Sequence, residues 1–351
     1  MRVVVSDVQV PFISGGGEAL ADGLVRACRR LGHETELVTM PFRFSPDREV
    51  VRAMASWEAE NFDDLNGYSP EVVICLRFPS YCVSHRRKVV WLLHQHRAYY
   101  DLWNADDSEN TSGRDAARQC IIQKDTASLA AVERVYTISQ NVSNRLRTFN
   151  GLSSIPLYHP PPMSEKLYAM EPEAYIFAPS RLESLKRQWL LIQAMKYVRA
   201  PVAVLISGTG GQQSQYAQMI EELDLGNRIR LVGRLSSDEM AAYYACSLGV
   251  YFGPLDEDYG YVTLEAMLAS KPVITCTDSG GPLEFVVNNE TGVVAEPTPE
   301  AVAAAIEFLY ANRKRAMEFG AAGNARYHSF NFSWDHVANE LIRLHTAESV
   351  A

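Results

Sequence analysis

Short runs of β-branched and apolar residues alternate along the chain with longer stretches whose apolar positions recur at helical spacing. In the first third the runs are Val3 to Val5, Glu34 to Thr39, Val72 to Leu76 and Val89 to Leu93, and the stretch Glu18 to Leu31 has the helical period. Brief apolar runs bounded by turn residues predict strands, and their alternation with amphipathic stretches predicts a parallel sheet covered by helices. The pattern begins again after Pro160-Pro161-Pro162. There it reads Tyr175 to Ala178, helical Gln188 to Val198, Val202 to Ser207, helical Gln215 to Leu223, Ile229 to Val232, Leu248 to Phe252 and Val273 to Thr275. Two doubly wound, Rossmann-like α/β domains are therefore expected, residues 1–162 and 163–332, joined by a proline run that makes a stiff, extended hinge. The segment from Ser333 opens with Ser-Trp-Asp and places Val337, Leu341 and Leu344 at helical spacing, which predicts a terminal helix within 333–351 that packs back onto one domain, the first. Asp106 to Gly113 is the most polar, turn-rich run and predicts a mobile surface loop.

At 351 residues, 47% hydrophobic and 21% charged, the chain can bury two medium cores, which excludes a disordered, collagenous or coiled-coil protein. Its 33 Lys and Arg against 42 Asp and Glu leave a net charge of −9, the wrong sign for holding nucleic acid by its phosphates. The cysteines Cys28, Cys75, Cys82, Cys120, Cys246 and Cys276 lie among apolar neighbours without a C-x-x-C pair, as expected in a reducing interior. Asp7 and Pro11 interrupt what would be the apolar core of a leader, and no window approaches ~18 uninterrupted apolar residues. The expected location is cytoplasmic, at most peripheral at the inner face of the plasma membrane through Arg26, Arg29 and Arg30 or His85-Arg86-Arg87-Lys88.

Glycine turns and a few charged side chains carry the candidate chemistry. Gly15-Gly16-Gly17 follows the first strand and precedes a helix, so the backbone can approach an anion at a helix start; the alternative is a plain tight turn. It is not G-x-G-x-x-G, and no acidic residue ends the second strand, which argues against a nicotinamide enzyme. In the second half, Arg181 and Lys186 lie between a strand and a helix, where two cations suit a diphosphate. Glu257 and Glu265 flank Gly260, the first on a loop and the second in the opening turns of a helix, so that both carboxylates could accept hydroxyls of a polyol in one cleft.

This second half resembles the nucleotide-sugar-dependent glycosyltransferases of family 4, retaining enzymes of the GT-B architecture. Glu257 and Glu265 stand at the spacing of that family's E-x7-E motif around Gly260-Tyr261-Val262-Thr263. Arg181, Lys186, the turn Ser207-Gly208-Thr209-Gly210, the turn Gly233-Arg234-Leu235 and the run Ala266 to Ile274 followed by Gly280-Gly281 fall in matching places. The resemblance implies two Rossmann-like domains facing across a cleft, the first for the acceptor and the second for the donor. It also implies that Glu265 binds the nucleotide ribose, Glu257 the transferred sugar, and Arg181, Lys186 and the Gly260 to Thr263 backbone the diphosphate. Gly208, Gly233, Arg234 and Leu235 would line the rest of the donor site, with Gly15 to Gly17 contributing from the first domain.

Val89 to His94 reads as a buried strand ending in a histidine, and the family keeps a histidine at the end of this N-terminal strand, which makes His94 a candidate facing donor sugar and acceptor. His96, Arg97, Tyr100 and Trp103 follow as acceptor candidates, against the plainer reading of an ordinary packed helix. His94 and His96 have no acidic partner in their motif, and retaining GT-B enzymes usually need no metal, so no metal and no bound cofactor are expected. The expected activity is hexosyl transfer with retention from a UDP- or GDP-sugar to a saccharide, lipid-linked or small-molecule acceptor. A non-catalytic nucleotide-sugar sensor or partner subunit is the alternative, and a homodimer is compatible with a sequence that shows no interface signal. Departures from the family pattern, Asp258, Tyr261, Ser180 and Arg187, leave the sugar specificity open.

Overall fold

The computed structural model describes residues 1–13, 15–103 and 111–343. The chain divides into two compact units, Met1–Pro162 with the chain from Ser333, and Met163–Phe332.

In the first unit the strands are β1 (Arg2–Gln9), β2 (Glu34–Pro41), β3 (Val72–Cys75), β4 (Lys88–Leu92), β5 (Val135–Thr137) and β6 (Ile155–Pro156), in the order β2-β1-β3-β4-β5-β6. Every pairing is parallel. The central strands read as unbroken apolar runs because helices cover both faces; all of β3 is buried. Helix Asp47–Glu58 fills the segment between β2 and β3 that the pattern left unassigned, burying Val50, Met54 and Trp57 at helical spacing. Of the predicted loop Asp106 to Gly113, the last three residues instead open helix Thr111–Ala130, and 106–110 lie outside the described residues. The terminal helix, Trp334–Arg343, packs on helix Gly16–Arg30 within this unit. Gly23 makes room for it, since a Cβ there would stand 2.3 Å from the Trp334 indole, and that indole packs edge-on to Trp91 at 6.1 Å.

Asp125 lies fully buried on helix Thr111–Ala130 and accepts hydrogen bonds from the hydroxyls of Tyr81 and Tyr100. Burial pushes its carboxyl up to about 6, with the two hydroxyls pulling the other way. The folded chain therefore holds a proton that the unfolded chain releases nearer pH 4, and stability from this group is present at low pH and lost as pH rises through 6. The wild type is expected to lose about 2 kcal/mol relative to Asp125→Asn between pH 4.5 and 7.5 in urea unfolding, and parallel curves would exclude such a shift.

In the second unit the strands are β7 (Tyr175–Pro179), β8 (Ala203–Ser207), β9 (Ile229–Gly233), β10 (Gly249–Tyr251), β11 (Val273–Cys276) and β12 (Gly292–Ala295), in the order β12-β11-β10-β7-β8-β9, again all parallel. The order reverses between β7 and β10, and in the first unit between β1 and β3. Ligands of open parallel sheets bind beyond the carboxyl ends of strands at such a switch point, because the two loops leave in opposite directions and open a crevice. No helix among the described residues is long and apolar enough to cross a membrane.

Candidate functional site

The loops that leave β7 and β10 meet at the second unit's switch point. After β7 the chain turns through Ser180 and Arg181, and the Gly208 turn after β8 lies directly on it. Gly208 has φ +118°, and a Cβ there would fall 1.9 Å from the Ser180 carbonyl oxygen; one on Gly210 would fall 2.4 Å from that of Leu182. Only glycine permits so close an approach of two backbones. The turn is tied by Leu182 N–H to Thr209 O at 3.0 Å and by the Gln188 amide to Arg181 O at 3.0 Å, leaving the Arg181 residue exposed at the strand end. Gly233, at φ +71°, accepts the Gly208 N–H at 2.8 Å, so Arg234 and Leu235 follow on the neighbouring edge.

Lys186 closes a single 3-10 turn, Ser184–Lys186, and its ammonium pairs with Glu257 on the loop after β10, with the side chains 16% and 19% exposed. The same ammonium stands 5.7 Å from the centre of the Phe252 ring. Arg187 has left-handed backbone, φ +51°, and is buried.

Helix Tyr261–Leu268 starts after Gly260, whose φ of +93° is another left-handed conformation that favours glycine. The Thr263 N–H returns to Gly260 O at 3.0 Å, and Val262 belongs to the first turn, whose N–H groups lie ahead of the i→i−4 ladder. The Thr263 hydroxyl is fully buried and has no hydrogen-bond partner among the described residues. Glu265, 7% exposed, accepts a 2.7 Å hydrogen bond from the Tyr244 hydroxyl. Burial raises the Glu265 carboxyl above its ordinary range, and the Tyr244 hydroxyl opposes the shift. Burial first, then the charge of Glu265, raises the hydroxyls of Tyr244 and Tyr261, which stay protonated donors.

In the first unit the glycine turn is organised by a residue the pattern did not single out. Arg77, just after β3, forms a two-pronged pair with Asp7 at 2.7 Å for each bond, donates to Val8 O at 2.6 Å and reaches Glu18 at 2.8 Å. Glu18 in turn accepts the Gly15 N–H at 2.7 Å, closing the start of helix Gly16–Arg30. A Cβ on Gly17 would stand 2.8 Å from the Arg77 guanidinium, while Gly15 and Gly16 are exposed.

His94 lies two residues beyond β4, which ends at Leu92 rather than at the histidine. It is half-buried, and its Nδ1 stands 2.7 Å from Gln95 O. A carbonyl only accepts, so Nδ1 carries a proton, and in the neutral ring Nε2 is the acceptor. His96 is enclosed instead by Phe42, Phe44, Phe78 and Tyr99, with ring centres 5.0 to 6.1 Å away. Burial, then the neighbouring His94, pulls it down to about 4, so it is neutral. Arg97 pairs with Asp101 at 2.6 Å, Tyr100 is buried against Asp125, and Trp103 is half-buried, stacked on Tyr99 with Arg114 and Arg118 over its ring. The segment Arg97–Tyr99 is one 3-10 turn, not a packed helix. Of the acceptor candidates, His96 and Tyr100 thus sit inside the first unit, and Arg97 is held in an ion pair. The basic run His85 to Lys88 is partly spent on structure, since the Lys88 ammonium donates to Tyr81 O and Val83 O. No group of three or more His, Cys, Asp and Glu among the described residues is placed to hold a metal ion.

Residues 162–326 match the family model described as glycosyl transferases group 1. A GDP-mannose-dependent alpha-(1-6)-phosphatidylinositol monomannoside mannosyltransferase of Mycobacterium tuberculosis is 30% identical over 188 residues, 50% of this chain and 48% of that protein. The chain spans about half the length of this curated relative. Among solved structures, the sucrose-phosphate synthase of Thermosynechococcus elongatus superposes with a TM-score of 0.78 at 18% identity, covering 98% of each chain. Anabaena HepE in complex with UDP-glucose gives 0.73 at 17% identity, covering 99% of this chain and 100% of that one. These likenesses show the fold, the two-domain α/β architecture of GT-B type.

Proposed function

We propose that the protein is a glycosyltransferase that moves a hexose from a nucleoside-diphosphate sugar to an acceptor hydroxyl with retention of configuration. The carrying observation is the convergence, at the β7/β10 switch point, of the Arg181 turn, the Lys186–Glu257 pair, the Gly260 helix start and buried Glu265. The match of residues 162–326 to the glycosyl transferases group 1 model, and relatives and neighbours named for GDP-mannose and UDP-glucose, support the same reading and favour a UDP- or GDP-sugar.

Arg181 and Lys186 hold the diphosphate together with the Val262 N–H, and they stabilise the charge that grows as it leaves. Glu257 holds hydroxyls of the transferred sugar. Glu265, with part of its accepting capacity spent on Tyr244, takes the ribose hydroxyls. The acceptor hydroxyl attacks on the leaving-group face and passes its proton toward the departing phosphate, so no side chain acts as nucleophile. The first unit holds the saccharide, lipid-linked or small-molecule acceptor, with His94 Nε2 as the accepting group at β4. No observation favours a non-catalytic sensor.

The test is thermal melting against UDP, GDP, ADP and dTDP and their sugars, each with EDTA and with magnesium. Ligand at 100 times its Kd is expected to stabilise by about 2.7 kcal/mol, a shift of several degrees, from one nucleotide family. Survival of the shift in EDTA would support a metal-independent site. No shift with any nucleotide would count against the reading.

A further inference from the structure

Adjacent cations Lys186 and Arg187 take different partners. The Lys186 side chain pairs with Glu257. The Arg187 guanidinium, 9% exposed as a side chain, donates from Nε to Gly253 O at 2.8 Å and from Nη2 to Pro254 O at 2.7 Å. It also forms a two-pronged pair with Asp278, at 2.8 and 2.6 Å. A side chain at φ +51° is strained, and such strain persists where surrounding contacts over-determine it, as four bonds from a planar fork do here.

The partners of Arg187 explain what it could set. Gly253 and Pro254 belong to the loop that carries Glu257, and Asp278 belongs to the turn on which that loop rests. Between loop and turn run the bonds Asp256 N–H to Asp278 O and Glu257 N–H to Ser279 O, both 2.9 Å, while Leu255 N–H reaches back to Leu185 O at 2.8 Å. Arg187 thus ties three segments into one frame, and a shift of any of them moves the Glu257 carboxylate relative to Lys186.

We propose that Arg187, clamped to Asp278 and the Gly253-Pro254 carbonyls, is a positioning residue that sets Glu257 for the sugar moiety of the donor. This rests on the reading of Glu257 as the sugar-binding carboxylate. It predicts that loosening the clamp weakens recognition of the sugar and leaves recognition of the diphosphate intact, which a merely structural role would not do.

The experiment is calorimetric titration of wild type, Asp278→Asn and Arg187→Lys with UDP and UDP-glucose and with GDP and GDP-mannose. Asp278→Asn leaves residue 187 and its backbone unchanged, and Arg187→Lys keeps the charge without the fork. For the pair that the wild type binds, the ratio of the sugar nucleotide Kd to the diphosphate Kd is expected to rise about tenfold in each variant, with the diphosphate Kd within threefold of wild type. Amide exchange at Leu255, Asp256 and Glu257 is expected to speed up at least tenfold. A ratio and exchange rates unchanged within twofold in folded variants would overturn the proposal while leaving the nucleotide-sugar reading standing. A wild type that binds neither pair would overturn both. If Asp278→Asn fails to fold, Arg187→Lys carries the test.

Discussion

Turnover of Arg181→Ala is expected to fall about a hundredfold with the nucleotide sugar that stabilises the wild type. Arg181 stands exposed at the carboxyl end of β7, on a turn held through its backbone by Gln188 and by the glycine turn after β8. Its side chain is therefore free of a structural duty that the alanine would disturb, and the fold should survive. A charge-assisted hydrogen bond to a leaving diphosphate is worth roughly 1.5–3 kcal/mol, and each 1.36 kcal/mol is about tenfold in rate, so the upper part of that range gives the hundredfold loss. Because the contact strengthens as the diphosphate departs, the loss should fall on kcat and kcat/KM together; a rise in KM alone would mark binding that is equal in ground and transition states. Steady-state kinetics on a variant with wild-type melting behaviour decides it. A loss under threefold would remove Arg181 from the proposed chemistry.

The largest effect on stability is expected from Gly208→Ala. Its φ of +118° is one that an L side chain rarely adopts, and the new Cβ would lie 1.9 Å from the Ser180 carbonyl oxygen, which is backbone and cannot swing aside. Strain and overpacking together cost about 3 kcal/mol, a midpoint lowered by roughly 6–12 °C in a domain of this size. Gly226→Ala is the control, since a Cβ there meets nothing within 4 Å, and it should melt near wild type. Because the displaced carbonyl belongs to the turn bearing Arg181, the variant should also lose nucleotide-dependent stabilisation. Equal melting of the two variants would show that the backbones can separate at little cost.

Much of the fold was legible because local periodicity encodes local structure. The apolar runs at Val3, Val72, Val89, Tyr175, Val202 and Val273 each became a buried strand, because a strand covered on both faces must be apolar throughout. Boundaries differed by a residue or more where tertiary packing ends an element, as in helix Gln188–Ala194, shorter than its pattern, and β4, which stops before His94. The glycine turns at Gly208 and Gly260 were readable for a related reason, since their conformations exclude other residues.

The chain by itself thus determined the alternation of strands and helices, the spacing of Glu257 and Glu265 and the placing of Arg181 and Lys186 after a strand. These are consequences of sequence-local geometry. Which charges meet depends on how distant segments are brought together. Lys186 pairs with Glu257 across 71 positions and Arg77 with Asp7 across 70, through a sheet order that no local period encodes. The tertiary structure also decided that Arg187 is bound by Asp278 and the Gly253-Pro254 carbonyls, that Tyr244 holds Glu265, and that His96 is enclosed by aromatic rings. The physical reason is the same in each case: a side chain's pairing and burial depend on which strands lie side by side, and that is set by how the whole chain crosses over.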